Sequence, residues 1–137
     1  MDIPINYLAV LVAAIASMAI GALWYSPLFF GKPWMRLMGW GTEIPLERKA
    51  QATKSYSIMF VGSLVMAFVL AHFAFIWGAH DITSAIQLGF WAWLGFVAPV
   101  MLGMVLWEGK PWMLYLLITG YYLVTLIVMA LIVGLWI

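Results

Sequence analysis

Four stretches of this chain carry no Asp, Glu, Lys or Arg: Ile3–Gly31, Ser55–Ala79, Ile82–Trp107 and Pro111–Ile137. Each exceeds the ~20 apolar residues with which a helix crosses a ~30 Å hydrocarbon layer. Backbone in lipid must satisfy its own hydrogen bonds, so uncharged runs of this length predict helices. With 67% hydrophobic and 8% charged residues, the chain has too little charge to clothe a soluble globule. Helices apolar all round belong inside a large protein or in lipid, and 137 residues are too few for the first. The expectation is an all-α integral membrane protein, one four-helix transmembrane domain over residues 1–137. The spans are expected at about residues 6–25, 55–78, 84–107 and 112–136.

Charge orients the spans. The first connection holds Lys32, Arg36, Arg48, Lys49 and Lys54, and the third holds Lys110. The opposite side has only Asp2, His80 and Asp81. Basic connections stay in the cytoplasm, which places both termini outside it. Amphipathic rings favour the headgroup level, and the aromatic residues fall into two belts at matching depths. Tyr7, Trp77 and Trp136 mark the outer one; Trp24, Tyr25, Trp34, Trp40, Tyr56, Trp107, Trp112 and Tyr115 mark the inner one. Ala14-Ile15-Ala16 loosely fits a signal-peptide cleavage site, but no basic residue precedes it, so the first run reads as a retained span.

The connections have their own signals. Ser26-Pro27 ends the first span, and Pro33 starts a short interfacial helix over residues 33–40, with Trp34, Leu37 and Met38 on one face and Arg36 on another. Gly39 and Gly41 end it and Pro45 restarts a helix; Asp81, or Thr83-Ser84, is the expected N-cap of the third span. That span carries Gly95, Pro99 and Gly103 and is the one most prone to bend. Gly31-Lys32-Pro33-Trp34-Met35 recurs as Gly109-Lys110-Pro111-Trp112-Met113. The echo fits a duplicated helical hairpin, or simply a turn suited twice to the inner boundary.

Leu23-Trp24-Tyr25-Ser26-Pro27-Leu28-Phe29-Phe30-Gly31-Lys32 resembles the first signature of the small bacterial membrane proteins grouped as domain of unknown function 1761. Gly89-Phe90-Trp91-Ala92-Trp93-Leu94-Gly95-Phe96 and Gly120-Tyr121-Tyr122-Leu123-Val124 are similar to its later ones. The resemblance covers essentially the whole chain. It implies four spans in a bacterial inner membrane and supplies no catalytic or binding residues to carry over.

Candidate sites therefore come from chemistry alone. His72 is the strongly titratable group inside a span, which makes it a candidate proton relay or ligand contact, or a neutral ring bonded to a neighbour such as Gln87. Trp91, Trp93, Tyr121 and Tyr122 lie too deep for the belts; with Ser17 and Ser63 they either line a ligand cavity or bond helix to helix. Lys32, Arg36 and Lys110 sit where cations meet anionic lipid headgroups. Absent cysteine excludes disulfides, thiolate metal sites and cysteine nucleophiles; no His-x3-His spacing marks a metal, and no cofactor is implied. A net charge of +1 gives no argument for nucleic acid.

The expected partners are membrane lipids and further copies of the chain, because Ala13-x3-Ser17-x3-Gly21 and Ser63-x3-Ala67-x3-Ala71 are ridges that admit close helix approach. Three functional classes follow. One is a non-enzymatic binder or conduit for a lipid-like or small uncharged ligand. Another is an ion-coupled transporter or channel using His72. The third, a headgroup-layer enzyme built on Glu108 and Lys110, lacks a carboxylate pair or a Ser–His arrangement.

Overall fold

The computed structural model describes residues 3–136, so Asp2, counted among the outer charges, lies outside them. Among the described residues every regular element is helical: α1 (Tyr7–Trp24), α2 (Gly31–Leu37), α3 (Leu46–Ala50), α4 (Ala52–Trp77), α5 (Ile82–Phe96), α6 (Gly103–Leu106) and α7 (Trp112–Leu135). A 3₁₀ turn, Val100–Leu102, joins α5 to α6. Helices α1, α4 and α7 are each long and apolar enough to cross a membrane. At 1.5 Å per residue they measure ~27, ~39 and ~36 Å. Helix α5 has only 15 residues and makes a fourth candidate span when joined to Val100–Leu106 across a 42° bend.

That bend falls in the span expected over residues 84–107, the one whose Gly95, Pro99 and Gly103 marked it as most prone to bend, and Pro99 is its cause. Proline has no N–H to offer and its ring crowds the carbonyl one turn earlier. The N–H groups of Val97 and Ala98 both turn back to the Trp93 carbonyl, at 3.1 and 2.9 Å, and the Leu102 N–H goes to Pro99 at 3.3 Å. The Ala98 carbonyl accepts instead from the Tyr115 hydroxyl on α7, at 2.7 Å.

Helix α7 is the hub, packed against α1, α4 and α5. Both small-residue ridges are spent inside the chain: Ala13 and Ser17 of α1 and Ser63, Ala67 and Ala71 of α4 are buried where those two helices meet. Helix α5 crosses α7 so closely at Gly89 that a β-carbon there would stand 2.6 Å from the Ile127 Cα. It makes few contacts with α4. Between these two remains an apolar groove of about 390 Å³ whose walls include Met66, Phe73 and Phe96.

The repeated pentapeptide takes two different shapes. Its first copy begins α2, with Gly31 buried in the helix. In the second, Gly109 has φ 71°, Pro111 is extended and the helix starts at Trp112. Two related hairpins would also pack α4 on α5 as α1 packs on α7, and the groove shows that they do not. The short helix expected at 33–40 is α2, shifted to Gly31–Leu37 and followed by Gly39 at φ 82°.

One end of the bundle is tied by caps. The Asn6 side chain accepts from the N–H groups of Leu8 and Ala9, at 3.1 and 3.2 Å, and donates to the Trp136 carbonyl at 3.3 Å. His80 donates through Nδ1 to the Gly134 carbonyl, at 3.0 Å, serving a terminal carbonyl of α7. Asp81 caps α5, accepting from the Ser84 N–H at 2.7 Å, with a capping box completed by the Ser84 hydroxyl.

Two predictions follow from this packing. Gly89→Ala must push backbone against backbone and should cost about 1–3 kcal/mol. Gly62→Ala, with open space around its β-position, should be neutral or stabilising by up to ~1 kcal/mol; thermal unfolding in detergent compares the two. The Ser84 hydroxyl and N–H hold the Asp81 carboxyl below its ordinary pKa. A depressed folded-state pKa gives stability that is complete above the unfolded value and lost as pH falls through the folded one. Asp81→Ala should therefore lower the melting temperature at pH 7 and lose that effect in strong acid.

Candidate functional site

The site begins with a turn. After α1 the Trp24 carbonyl accepts from Phe30 at 3.0 Å, and the Ser26 carbonyl accepts from Phe29 and Gly31 at 3.1 and 2.8 Å. Gly31 is required because a β-carbon would lie 2.6 Å from the Tyr25 carbonyl oxygen. The chain thus reverses tightly and brings Trp34 of α2 against Tyr25, with ring centroids 4.8 Å apart.

Helix α7 supplies the facing wall. The Tyr121 hydroxyl donates to the Ser17 carbonyl at 3.1 Å, across Gly21, where a β-carbon would lie 3.1 Å from its oxygen. The Trp24 indole donates to the Leu117 carbonyl at 3.1 Å, its ring over Gly120. Two directional bonds fix the end of α1 to α7.

Four rings follow in succession. Trp34 meets Tyr25 at 56°, Tyr25 meets Tyr121 at 5.5 Å and 57°, and Tyr121 meets Tyr122 at 4.9 Å and 59°. Tilts of this size make a wall of angled rings rather than a flat stack. Met18 of α1, Ile44, and Tyr56 and Met59 of α4 stand around the remainder of a pocket of about 320 Å³. None of its lining side chains is charged. It lies at the end of the bundle that carries the basic connection.

The residues expected to line one cavity are divided. Tyr121 and Tyr122 line this pocket; Ser17 anchors Tyr121, and Ser63 sits behind Met18 through a long 3.9 Å hydroxyl–sulfur contact. Trp93 lies on the seam between α5 and α7, where its indole donates to the Thr119 carbonyl at 2.8 Å. Trp91 is 58% exposed and edges the groove beside α4. The four rings thus do not share one cavity, and Trp93 and Tyr121 follow the other reading, bonding helix to helix. His72 donates through Nδ1 to the Phe68 carbonyl of its own helix, at 2.8 Å, and not to Gln87, which is exposed on α5. Lys32 and Arg36 are exposed on α2, two residues to either side of Trp34 and so turned from the pocket; Lys110 is exposed in the turn before α7.

A family model described as "Protein of unknown function (DUF1761)" matches residues 8–134. The chain belongs to this family. No curated protein and no solved structure gives a significant match. The three segments that carry the DUF1761 resemblance gather around the first and middle turns of α7, from Leu117 to Ile127. Leu23–Lys32 forms the turn, Gly120–Val124 faces it, and Gly89–Phe96 packs on another side of the same helix through Gly89 and Trp93.

Tyr25, Trp34 and Tyr56 were expected in the interfacial belt and are pocket walls. The usable signal was the placing of Tyr25 in the most specific family segment. For the hydrogen bonds, Tyr115→Phe and Trp93→Phe should each lower stability by about 0.6–2 kcal/mol. Thermal unfolding should rank Tyr115→Phe as the more costly. It strips the Ala98 carbonyl beside Pro99, whereas Thr119 lies within the helical run of α7.

Proposed function

We propose that this chain is a four-span integral membrane protein of a bacterial inner membrane that binds the polar end of a lipid-like molecule without transforming it. The uncharged, five-ring pocket at the basic end of the bundle carries this reading. Its size is near the lower bound of ligand pockets (~300–1,000 Å³), which suits a headgroup or a small molecule rather than a whole lipid. The surroundings support lipid as the medium. Ile15, Val61, Val65, Ile76, Leu94 and Leu116 are all exposed, and apolar exteriors of that extent need an apolar solvent. With α5 to α6 as one bent span, the basic connections share the cytoplasmic side and both termini lie outside. Helix α2 then rests at the inner headgroup layer, with Lys32 and Arg36 toward anionic lipid.

Because the chain has no cysteine, single cysteines report topology directly. Lys49→Cys should label only from the cytoplasmic face and Thr83→Cys only from the outer face; labelling from one common face would reject four spans. Native mass spectrometry from a mild detergent tests the pocket. Wild type should retain a small molecule or lipid that Tyr122→Ala and Trp34→Ala release and Trp91→Ala keeps. Equal retention in all four proteins would remove the pocket from consideration.

A further inference from the structure

The pocket's composition names the ligand more closely. We infer that it receives a quaternary ammonium group, carried by a choline-type lipid head or by a free small molecule; this rests on the binding function proposed for that pocket. Ring faces carry the negative part of the aromatic quadrupole, and cages of Trp and Tyr faces recognise quaternary ammonium ions. Here Trp34, Tyr25, Tyr121 and Tyr122 form a continuous succession of rings, each tilted by 56–59° to the next, and Tyr56 lines the same space.

The other ligand classes fit less well. An anion would meet no cation, since no lining side chain is charged and Lys32 and Arg36 are turned from the pocket. A primary ammonium is compact and strongly hydrated, and without a carboxylate nothing here compensates its desolvation. A quaternary ion has no N–H to satisfy and spreads its charge over methyl groups, so the ring faces suffice. A purely apolar group needs no phenol or indole. The groove between α4 and α5 shows what this chain builds for apolar surroundings: Met66, Val69, Leu70 and Phe73. The Tyr121 hydroxyl hydrogen is already committed to the Ser17 carbonyl, so that ring is held in place as part of the wall and offers no free donor.

Isothermal titration of the detergent-purified full chain with choline and with 3,3-dimethylbutan-1-ol, its uncharged carbon isostere, separates charge from shape. In parallel, native mass spectrometry with equal amounts of phosphatidylcholine and phosphatidylethanolamine tests the lipid-borne form of the same group. The expected result is at least tenfold preference for the quaternary member of one or both pairs. Choline binding identifies a soluble ligand; preference in the lipid pair alone identifies a headgroup. Trp34→Leu and Tyr122→Leu should each abolish that preference while thermal unfolding confirms a folded chain, and Tyr122→Phe should keep it within threefold because the face and not the hydroxyl does the binding. Equal affinity within both pairs, absence of binding in both, or a preference indifferent to Trp34→Leu and Tyr122→Leu overturns the inference. Should a lipid lacking quaternary nitrogen be retained and then lost in those variants, the pocket remains a binding site and only its ammonium selectivity falls.

Discussion

Apolar surroundings force every buried indole and phenol to find a hydrogen-bond acceptor, and the packing of this bundle depends on where those acceptors lie. Trp24 and Tyr121 join α1 to α7; Trp93 and Tyr115 join α7 to α5 and the bend that follows it. In all four the acceptor is a backbone carbonyl. An unmade bond of this kind costs more than a made one gains, so the four act less as sources of energy than as constraints on register. Helices α1, α5 and α7 can slide or rotate against one another only by breaking them. Asn6 and His80 add the same kind of constraint at the far end of α7.

Much of this fold was legible because membrane-length helices are written in the sequence as interruptions of charge. The starts and stops at Asp81, Gly78 and Pro111 follow from capping chemistry, and the break at Pro99 follows from a missing donor. The pairing of helices did not follow, since an alanine ridge tells of close approach without naming its neighbour. The repeated Gly-Lys-Pro-Trp-Met shows the same limit. Identical local chemistry yields a helix start in one copy and a left-handed glycine turn in the other, because only Gly31 is pressed against the Tyr25 carbonyl.

The site was half legible. Residues two apart on a helix do not share a face, so Trp91 and Trp93 could not both have entered one cavity, and the structure sends them to different sides of α5. Adjacent Tyr121 and Tyr122 differ by less and do share one. Tyr25, Trp34 and Tyr56 read as belt residues for a different reason: depth alone cannot separate a ring that anchors an interface from one that walls a pocket at the same level. That distinction depends on the reversal of the chain between Ser26 and Gly31, which turns α2 inward.

Helix α4 stands apart from the hydrogen-bonded scaffold. Among the described residues its side-chain bond to another helix is the 3.9 Å contact of Ser63 with Met18 sulfur; alanine packing holds the rest, and the α5 side is open groove. Yet Tyr56 and Met59, which close one side of the aromatic pocket, belong to α4. The width of the pocket is therefore set by the one long helix that no buried aromatic donor fixes in register. Small shear of packed helices is a common mode of protein motion. Here such a shear would open and close the cage while leaving Trp24, Trp93, Tyr115 and Tyr121 bonded as they are.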